Sequence, residues 1–123
     1  MKSLKEIAKS FLNSAAAGHV EEAYANFIAA EFKHHNQYFS GDRESLLKGM
    51  MESAQKMPNK KFEIKMALED ENLVSVFSHL KFNADDLGIA VIHILKFKDG
   101  KIIEMWDLGQ PISKDSPNKN GMF

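Results

Sequence analysis

The chain of 123 residues is long enough for one domain with a buried core. Its 16 Lys and Arg against 17 Asp and Glu give a formal charge of −1 with no basic block, which argues against nucleic acid or a membrane surface as the main partner. The absence of cysteine excludes disulfides, thiolate metal sites and cysteine nucleophiles. No apolar stretch has membrane-spanning length and the first residues lack the apolar region of a signal peptide, so we expect a cytoplasmic protein.

The first third of the chain has the pattern of helices. Ser3 and Glu6 form a capping box ahead of apolar residues that recur at helical spacing from Leu4 to Ala15. Gly18 is typical of a helix C-terminus, and a second helix is predicted from Val20 to Ile28.

An aromatic segment and a third helix follow. The segment Phe32 to Phe39 is too short for a helix of its own and is predicted to be a short strand or extended. Asp42 then caps a helix that ends near Met57, since Pro58 stops it.

From Lys60 onward, the apolar period changes from that of a helix to that of a strand. Asp99-Gly100 lies between two β-rich runs and predicts a two-residue hairpin. The predicted strands run from Phe62 to Glu69, from Leu73 to Phe82, and through a hairpin from Leu87 to Gln110.

Helices followed by strands predict an α+β fold, a curved and mainly antiparallel sheet with the helices on its concave side. We expect one domain over residues 1–112. Residues 113–123 lack periodicity and are predicted to form a C-terminal arm, anchored by Met122 and Phe123.

Asp107 lies deep in the last apolar strand, where an unpaired carboxylate is costly. It needs a partner such as a histidine, or it has a functional use for an altered pKa. Four histidines in predicted strands, His34, His35, His79 and His93, are candidates together with Asn36. Histidine next to a buried carboxylate can act as a general acid or base, although a lone strand histidine is more often structural.

The hairpin gives a partial test of these candidates. A two-residue turn without irregularity pairs Ile92 with Asp107 and His93 with Trp106, which puts His93 and Asp107 on opposite faces. The two side chains share a pocket only if a β-bulge shifts the alternation by one residue.

Metal and cofactor sites lack support in this sequence. His34 and His35 are adjacent, so on a strand only one of them can enter a given site. No metal-ligand spacing, phosphate loop or nucleophile elbow is present. We expect neither metal nor cofactor.

Three features resemble the SnoaL-like polyketide cyclase family of the nuclear-transport-factor-two-like superfamily. They are the His34-His-Asn segment followed by Gly41 and a helix, the run from Phe97 to Asp107, and the ending Asn120-Gly-Met-Phe. The resemblance implies a cone-shaped α+β barrel, a bent mixed sheet around three helices with a deep apolar pocket. It also implies a homodimer that packs through the outer face of the sheet.

The resemblance further implies an aldol-type reaction without metal or coenzyme. Asp107 would be the acid/base with a raised pKa, and Asn36, one of His34 and His35, and His79 would hold the oxyanion. The chain departs from the family pattern at Met105, where relatives often carry histidine, and at Gln37, where many carry proline.

Three hypotheses follow, and whether the protein is catalytic stays open among them. They are a cofactor-free cyclase, lyase or isomerase of a ketone; a binding protein for a small apolar or polyketide-like molecule; and a dimerising protein with an incidental pocket. The predicted catalytic residues are Asp107, His35, His79 and Asn36, and the predicted ligand-binding residues are His34, His93, Met105, Ile92, Trp106 and Phe77.

Overall fold

The computed structural model describes residues 2–123. Three helices and five strands follow one another in a predominantly helix-first order, as the sequence predicts. They are α1 (Leu4–Ala16), α2 (Val20–Phe27), β1 (Ile28–His35), α3 (Arg43–Lys56), β2 (Lys61–Asp70), β3 (Leu73–Lys81), β4 (Ile89–Lys98) and β5 (Lys101–Pro111).

The strands form one curved, mixed and unclosed sheet in the order β1-β5-β4-β3-β2. All neighbours are antiparallel except β1, which pairs with β5 in parallel. The α+β prediction is confirmed. The parallel edge strand brings the segment that contains His34 beside the middle of β5.

Most helices and strands begin and end close to where local sequence signals predict. The Ser3 hydroxyl accepts a hydrogen bond from the Glu6 amide at 3.2 Å, and the Asp42 carboxylate accepts one from the Ser45 amide at 2.9 Å. The hairpin between β4 and β5 turns through Asp99 and Gly100, both with positive φ as a type I′ turn requires.

The segment between α2 and α3 differs from the prediction. Ile28 was assigned to the second helix, but α2 ends at Phe27 and Ile28 begins β1, paired with Ile102. The predicted extended segment to Phe39 ends earlier, since residues 36–39 form a turn in which the Phe39 amide donates to the Asn36 carbonyl at 3.2 Å. Pairing with β5 decides these ends, because tertiary contacts override local propensity.

The helices pack on the inner face of the sheet and close the core. Its fully buried members include Phe11 and Tyr24 from the helices and Val74, Val76 and Leu95 from the strands. The two aromatic rings lie 5.9 Å apart in a tilted arrangement. In the part of the chain that the structure describes, no helix has the length and apolarity needed to cross a bilayer.

The outer face of the sheet is partly apolar and partly covered by the C-terminal arm. Phe123 packs against Phe77, with ring centroids 5.3 Å apart, and against His79 at 4.7 Å. Met122 lines a shallow groove next to Ile92. Phe123, one of the two predicted anchors, therefore contacts the sheet, and Met122 lines a groove on the same face.

Two glycines with positive φ, Gly88 before β4 and Gly100 after it, differ in the space around them. A Cβ on Gly88 would lie 2.3 Å from the Leu80 carbonyl oxygen, whereas one on Gly100 would meet open space. The left-handed backbone alone costs alanine about 1–2 kcal/mol. We expect Gly100→Ala to lose about that much and Gly88→Ala clearly more, measured by urea unfolding. Equal losses would contradict the close approach at Gly88.

Candidate active site

A β-bulge in β5 decides which side chains enter the interior. The ladder pairs Lys98 with Lys101 and Phe97 with Ile102, but Lys96 already pairs with Glu104, so Ile103 is an extra residue. From that point the alternation is reversed and Asp107 pairs with His93. The bulge-free register, in which Ile92 would oppose Asp107, is wrong.

Asp107 lies on the inner face and is held by two side chains from the β1 region. His34 Nε2 lies 2.6 Å from Asp107 Oδ2, and Asn36 Nδ2 donates to Asp107 Oδ1. The parallel pairing of His34 with Met105 brings the end of β1 to the level of Asp107. Because an ionised carboxylate only accepts hydrogen bonds, His34 is the donor through Nε2–H.

The three partners differ in their accessibility. The His34 side chain is fully enclosed, whereas 15% of the Asp107 side chain stays accessible. Rings of Phe32 and Phe39 lie 6.3 Å and 5.6 Å from the imidazole of His34. His34 Nδ1 is buried and has no hydrogen-bond partner. Asp107 and Asn36 are therefore the members of the group that keep accessible surface.

The pKa of Asp107 is lowered, whereas the resemblance had implied a raised pKa. Burial by itself would raise this pKa, but the hydrogen bonds from His34 and Asn36 and the nearby His93 together bring it below its usual value. An aspartate in a purely apolar cavity would have the raised pKa that was predicted. Here two donors stabilise the charged form, so Asp107 is ionised near neutral pH.

His93 faces the same interior as Asp107. It is densely surrounded by protein, and this burial lowers the pKa of its imidazole, although the Asp107 charge opposes the effect. The ring of Phe62 meets it edge-on, with centroids 6.3 Å apart. The sequence predicted that His93 and Asp107 share a face only if a bulge exists, and the bulge at Ile103 meets this condition.

Sequence reasoning overlooked Tyr24 as a member of this interior. Its ring is buried, and burial raises the pKa of its phenol well above the ordinary range, with the Asp107 charge adding to the effect. Its hydroxyl contacts Met50 Sδ at 3.5 Å, and the Arg43 guanidinium lies over its ring. The helical period marked Tyr24 as core, and nothing in the sequence linked it to a carboxylate on β5.

His35 and Trp106 belong to the outer face. The two rings stack with centroids 4.9 Å apart, and His35 Nε2 lies 2.6 Å from Glu104 Oε2. Alternation along β1 and β5 turns both side chains away from His34 and Asp107. The prediction that His35 shares a site with Asp107 is wrong for this reason.

His79, Phe77 and Ile92 are also outside. Ser78 between the first two is completely buried, so its neighbours on β3 face outward. His79 Nε2 lies 2.8 Å from the Leu87 carbonyl oxygen, and Ile92 pairs with Phe77 on the exposed side. The structure thus separates these three residues from Asp107.

Met105 is the one apolar ligand-binding candidate that the structure places inside. It is buried on the inner face of β5, paired with Leu95 on β4 and with His34 on β1. Among residues 2–123, no group of three or more His, Asp or Glu side chains is arranged to hold a metal ion.

Comparisons with known proteins place this fold. No protein-family model matches the sequence, and no curated protein matches it. Among solved structures, a loop-truncation variant of IdmH is 14% identical with a TM-score of 0.76, covering 88% of this chain and 93% of that one.

Two further solved structures carry names that describe an activity. A candidate SnoaL-like isomerase from Agrobacterium tumefaciens is 13% identical, with a TM-score of 0.72 and coverage of 85% of this chain and 95% of that one. A candidate ketosteroid isomerase from Kribbella flavida is 17% identical, with a TM-score of 0.71 and coverage of 94% and 83%. The structural neighbours are thus SnoaL-like and nuclear-transport-factor-two-like proteins. The predicted resemblance is confirmed, and at these identities it establishes the fold.

The lowered pKa of Asp107 gives its charge a measurable effect on stability. A folded-state pKa below the unfolded value of about 3.9 stabilises the protein above that pH, and this contribution is lost as the pH falls through the folded-state pKa. We expect Asp107→Asn to lower the free energy of unfolding near pH 7. The difference from wild type should narrow only below about pH 4.

Urea unfolding of both proteins between about pH 7 and pH 3 checks this expectation. Asp99→Asn, the same chemical change in the exposed turn, is the matched control. A loss in Asp107→Asn that instead grows as the pH falls from about 7 towards 4 would mean that the Asp107 pKa is raised.

Proposed function

We propose that this protein binds a small apolar or polyketide-like ketone and removes a proton next to its carbonyl group, without metal or coenzyme. The reaction class is a cyclase, lyase or isomerase of the aldol or enolisation type. One observation carries the proposal: an ionised, partly accessible carboxylate, Asp107, is fixed on the inner face of the sheet among apolar side chains.

Asp107 has the properties that a general base requires. Its lowered pKa keeps it in the proton-accepting form at neutral pH, and each carboxylate oxygen retains a lone pair beyond the hydrogen bond that it accepts. In the proposed step an Asp107 oxygen takes the proton from the α-carbon. The C–H electron pair then forms the C=C bond of an enolate, and the carbonyl oxygen takes up the negative charge.

The same lowered pKa makes Asp107 a modest base. Abstraction from carbon therefore depends on stabilising the charge that develops on the carbonyl oxygen. Asn36, one of His34 and His35, and His79 were predicted to do this. His35 and His79 lie on the outer face, and Asn36 and His34 already donate to Asp107. In our proposal they orient the carboxylate and keep it ionised.

Binding without catalysis is the second candidate function. The observation that favours it is the pair of donors on Asp107, because a carboxylate bound by two side chains can be purely structural. The neighbours named as candidate isomerases favour catalysis, although the fold alone hosts many functions.

Hydrogen exchange of β-tetralone in deuterated buffer separates the two functions. This bicyclic ketone has acidic α-protons and an apolar body. We expect wild type to accelerate exchange at the α-carbon, and Asp107→Asn to reduce that acceleration by about 10²–10⁴-fold, measured by NMR. Asp99→Asn is the control with unchanged activity. Binding of β-tetralone without accelerated exchange would support the binding function and overturn the catalytic one.

We also propose that the outer face of the sheet carries a homodimer. Ile92, Ile94 and Leu108 are exposed side by side on β4 and β5, and Leu108 keeps 78% of its surface accessible. Contiguous exposed apolar surface is typical of protein interfaces. The resemblance to SnoaL-like proteins favours the same face.

A charge at the centre of this face tests the dimer. We expect Leu108→Lys to shift the protein towards monomer in sedimentation equilibrium, because a lysine buried against apolar residues is unfavourable. Leu87→Lys, at an exposed leucine in the loop before β4, should leave the mass unchanged. A dimer that survives Leu108→Lys would exclude this face.

A further inference from the structure

The loop of residues 36–41, between β1 and α3, covers the imidazole of His34. Residues 37–40 of this loop are exposed, yet the ring of Phe39 lies 5.6 Å from that imidazole, centroid to centroid. Phe32 flanks the same imidazole at 6.3 Å, and the His34 side chain keeps no accessible surface. Phe32 is buried in β1, whereas 39% of Phe39 is accessible. Of the two rings beside His34, Phe39 is therefore the one that is free to move.

A glycine in the middle of α3 makes room for the ring of Phe39. A Cβ on Gly49 would lie 2.6 Å from Phe39 Cε1, closer than side-chain carbons approach one another in proteins. Glycine inside a helix is less favourable than alanine, because it loses more conformational freedom on folding. Gly49 therefore weakens the helix locally and in return provides a seat for the loop aromatic.

The closed position of the ring leaves one polar atom unsatisfied. Nδ1 of His34 is buried without a hydrogen-bond partner, while Nε2 of the same ring contacts Asp107. A buried polar atom without a partner is unfavourable, and water can satisfy it once the covering ring moves away. Movement of Phe39 loses apolar contacts but removes this penalty, so the two effects partly offset each other.

We propose that Phe39 is the gate of the candidate active site: its ring leaves Gly49 when a ligand enters, and its size decides which ligands reach Asp107. With the ring in place, 15% of the Asp107 side chain is accessible, whereas a pocket usually buries most of its ligand. Entry therefore requires an element that moves. The loop that carries Phe39 adjoins the carboxylate, since Asn36 at its start donates to Asp107. The inference rests on the proposed function, because it assigns the ligand selectivity of that same site.

Chemical modification of His34 tests the gate without any ligand. Diethyl pyrocarbonate reacts with accessible imidazole nitrogens, and fragment mass spectrometry distinguishes His34 from the adjacent His35. We expect Phe39→Ala to accelerate modification of His34 about tenfold, because the open arrangement is then no longer a minor population. Tyr38→Ala removes an aromatic ring from the same loop, but 81% of Tyr38 is already accessible, so this control should keep the wild-type rate.

Gly49→Ala disturbs the seat and leaves the gate residue intact. Its Cβ meets the ring of Phe39, and alanine favours the helix, so the variant keeps α3. We expect it to accelerate modification of His34 as well, which keeps the test decisive if Phe39→Ala does not fold. A wild-type rate in Phe39→Ala, or in Gly49→Ala where the first variant does not fold, would overturn the gate.

The α-protons of Gly49 distinguish a gate that moves from a static cover. The Phe39 ring shifts their NMR resonances through its ring current, so these resonances report whether the ring is seated. We expect saturation of wild type with β-tetralone to move them away from their ligand-free positions. Unmoved Gly49 resonances in the β-tetralone complex would overturn the gate.

Ligand size tests the selectivity that the gate implies. The affinities of cyclohexanone and of the larger β-tetralone are compared by calorimetry for wild type, Phe39→Ala and Tyr38→Ala. We expect Phe39→Ala to raise the preference for the larger ketone about threefold to tenfold, and Tyr38→Ala to leave it unchanged. An unchanged preference in Phe39→Ala would overturn the assigned selectivity.

The outcomes for the gate and for the proposed function are separable. Binding of β-tetralone that moves the Gly49 resonances, without accelerated hydrogen exchange, would support the gate and overturn catalysis by Asp107. Exchange that depends on Asp107, with an unchanged size preference in Phe39→Ala, would do the reverse. If neither ketone binds, the proposed function fails, and the rates of His34 modification decide on the gate alone.

Discussion

The extra residue in β5 is the constraint on which the interior depends. Because side chains alternate along a strand, one inserted residue exchanges the two faces for everything that follows it. Ile103 is that residue, and it turns Met105 and Asp107 inward while Glu104 and Trp106 turn outward. Without it the carboxylate would stand on the exposed side, away from the histidine of β1.

The bulge also sorts two adjacent histidines into different environments. His34 meets Asp107 inside, and His35 meets Glu104 outside, each with a nitrogen-to-oxygen distance of 2.6 Å. The inner pair is largely shielded from water, so its hydrogen bond matters more for stability, whereas the outer pair is more exposed and contributes little. A histidine–carboxylate pair therefore contributes differently to stability on the two faces of the sheet.

Features with local causes were predictable from sequence. The Ser3 and Asp42 caps, the Asp99-Gly100 turn and the change from helical to strand period all depend on residues close together in the chain. They were sufficient for the α+β class. The resemblance carried by the run from Phe97 to Asp107 narrowed that class to the SnoaL-like fold.

Features with distant causes were not predictable. Ile102 and Ile103 are both apolar, so the pattern fits a strand with or without a bulge. The donor Asn36 is 71 positions from Asp107, and no local rule relates the two. The predicted direction of the Asp107 pKa shift was wrong for the same reason. The shift depends on His34 and Asn36 as donors, and only the parallel pairing of β1 with β5 brings them near Asp107.

The way the chain ends has a practical consequence for handling the protein. Phe123 has its ring packed on Phe77 and His79, and about half of its surface stays accessible. A purification tag or fusion partner joined at that end would start from a packed position next to the exposed apolar row of β4 and β5.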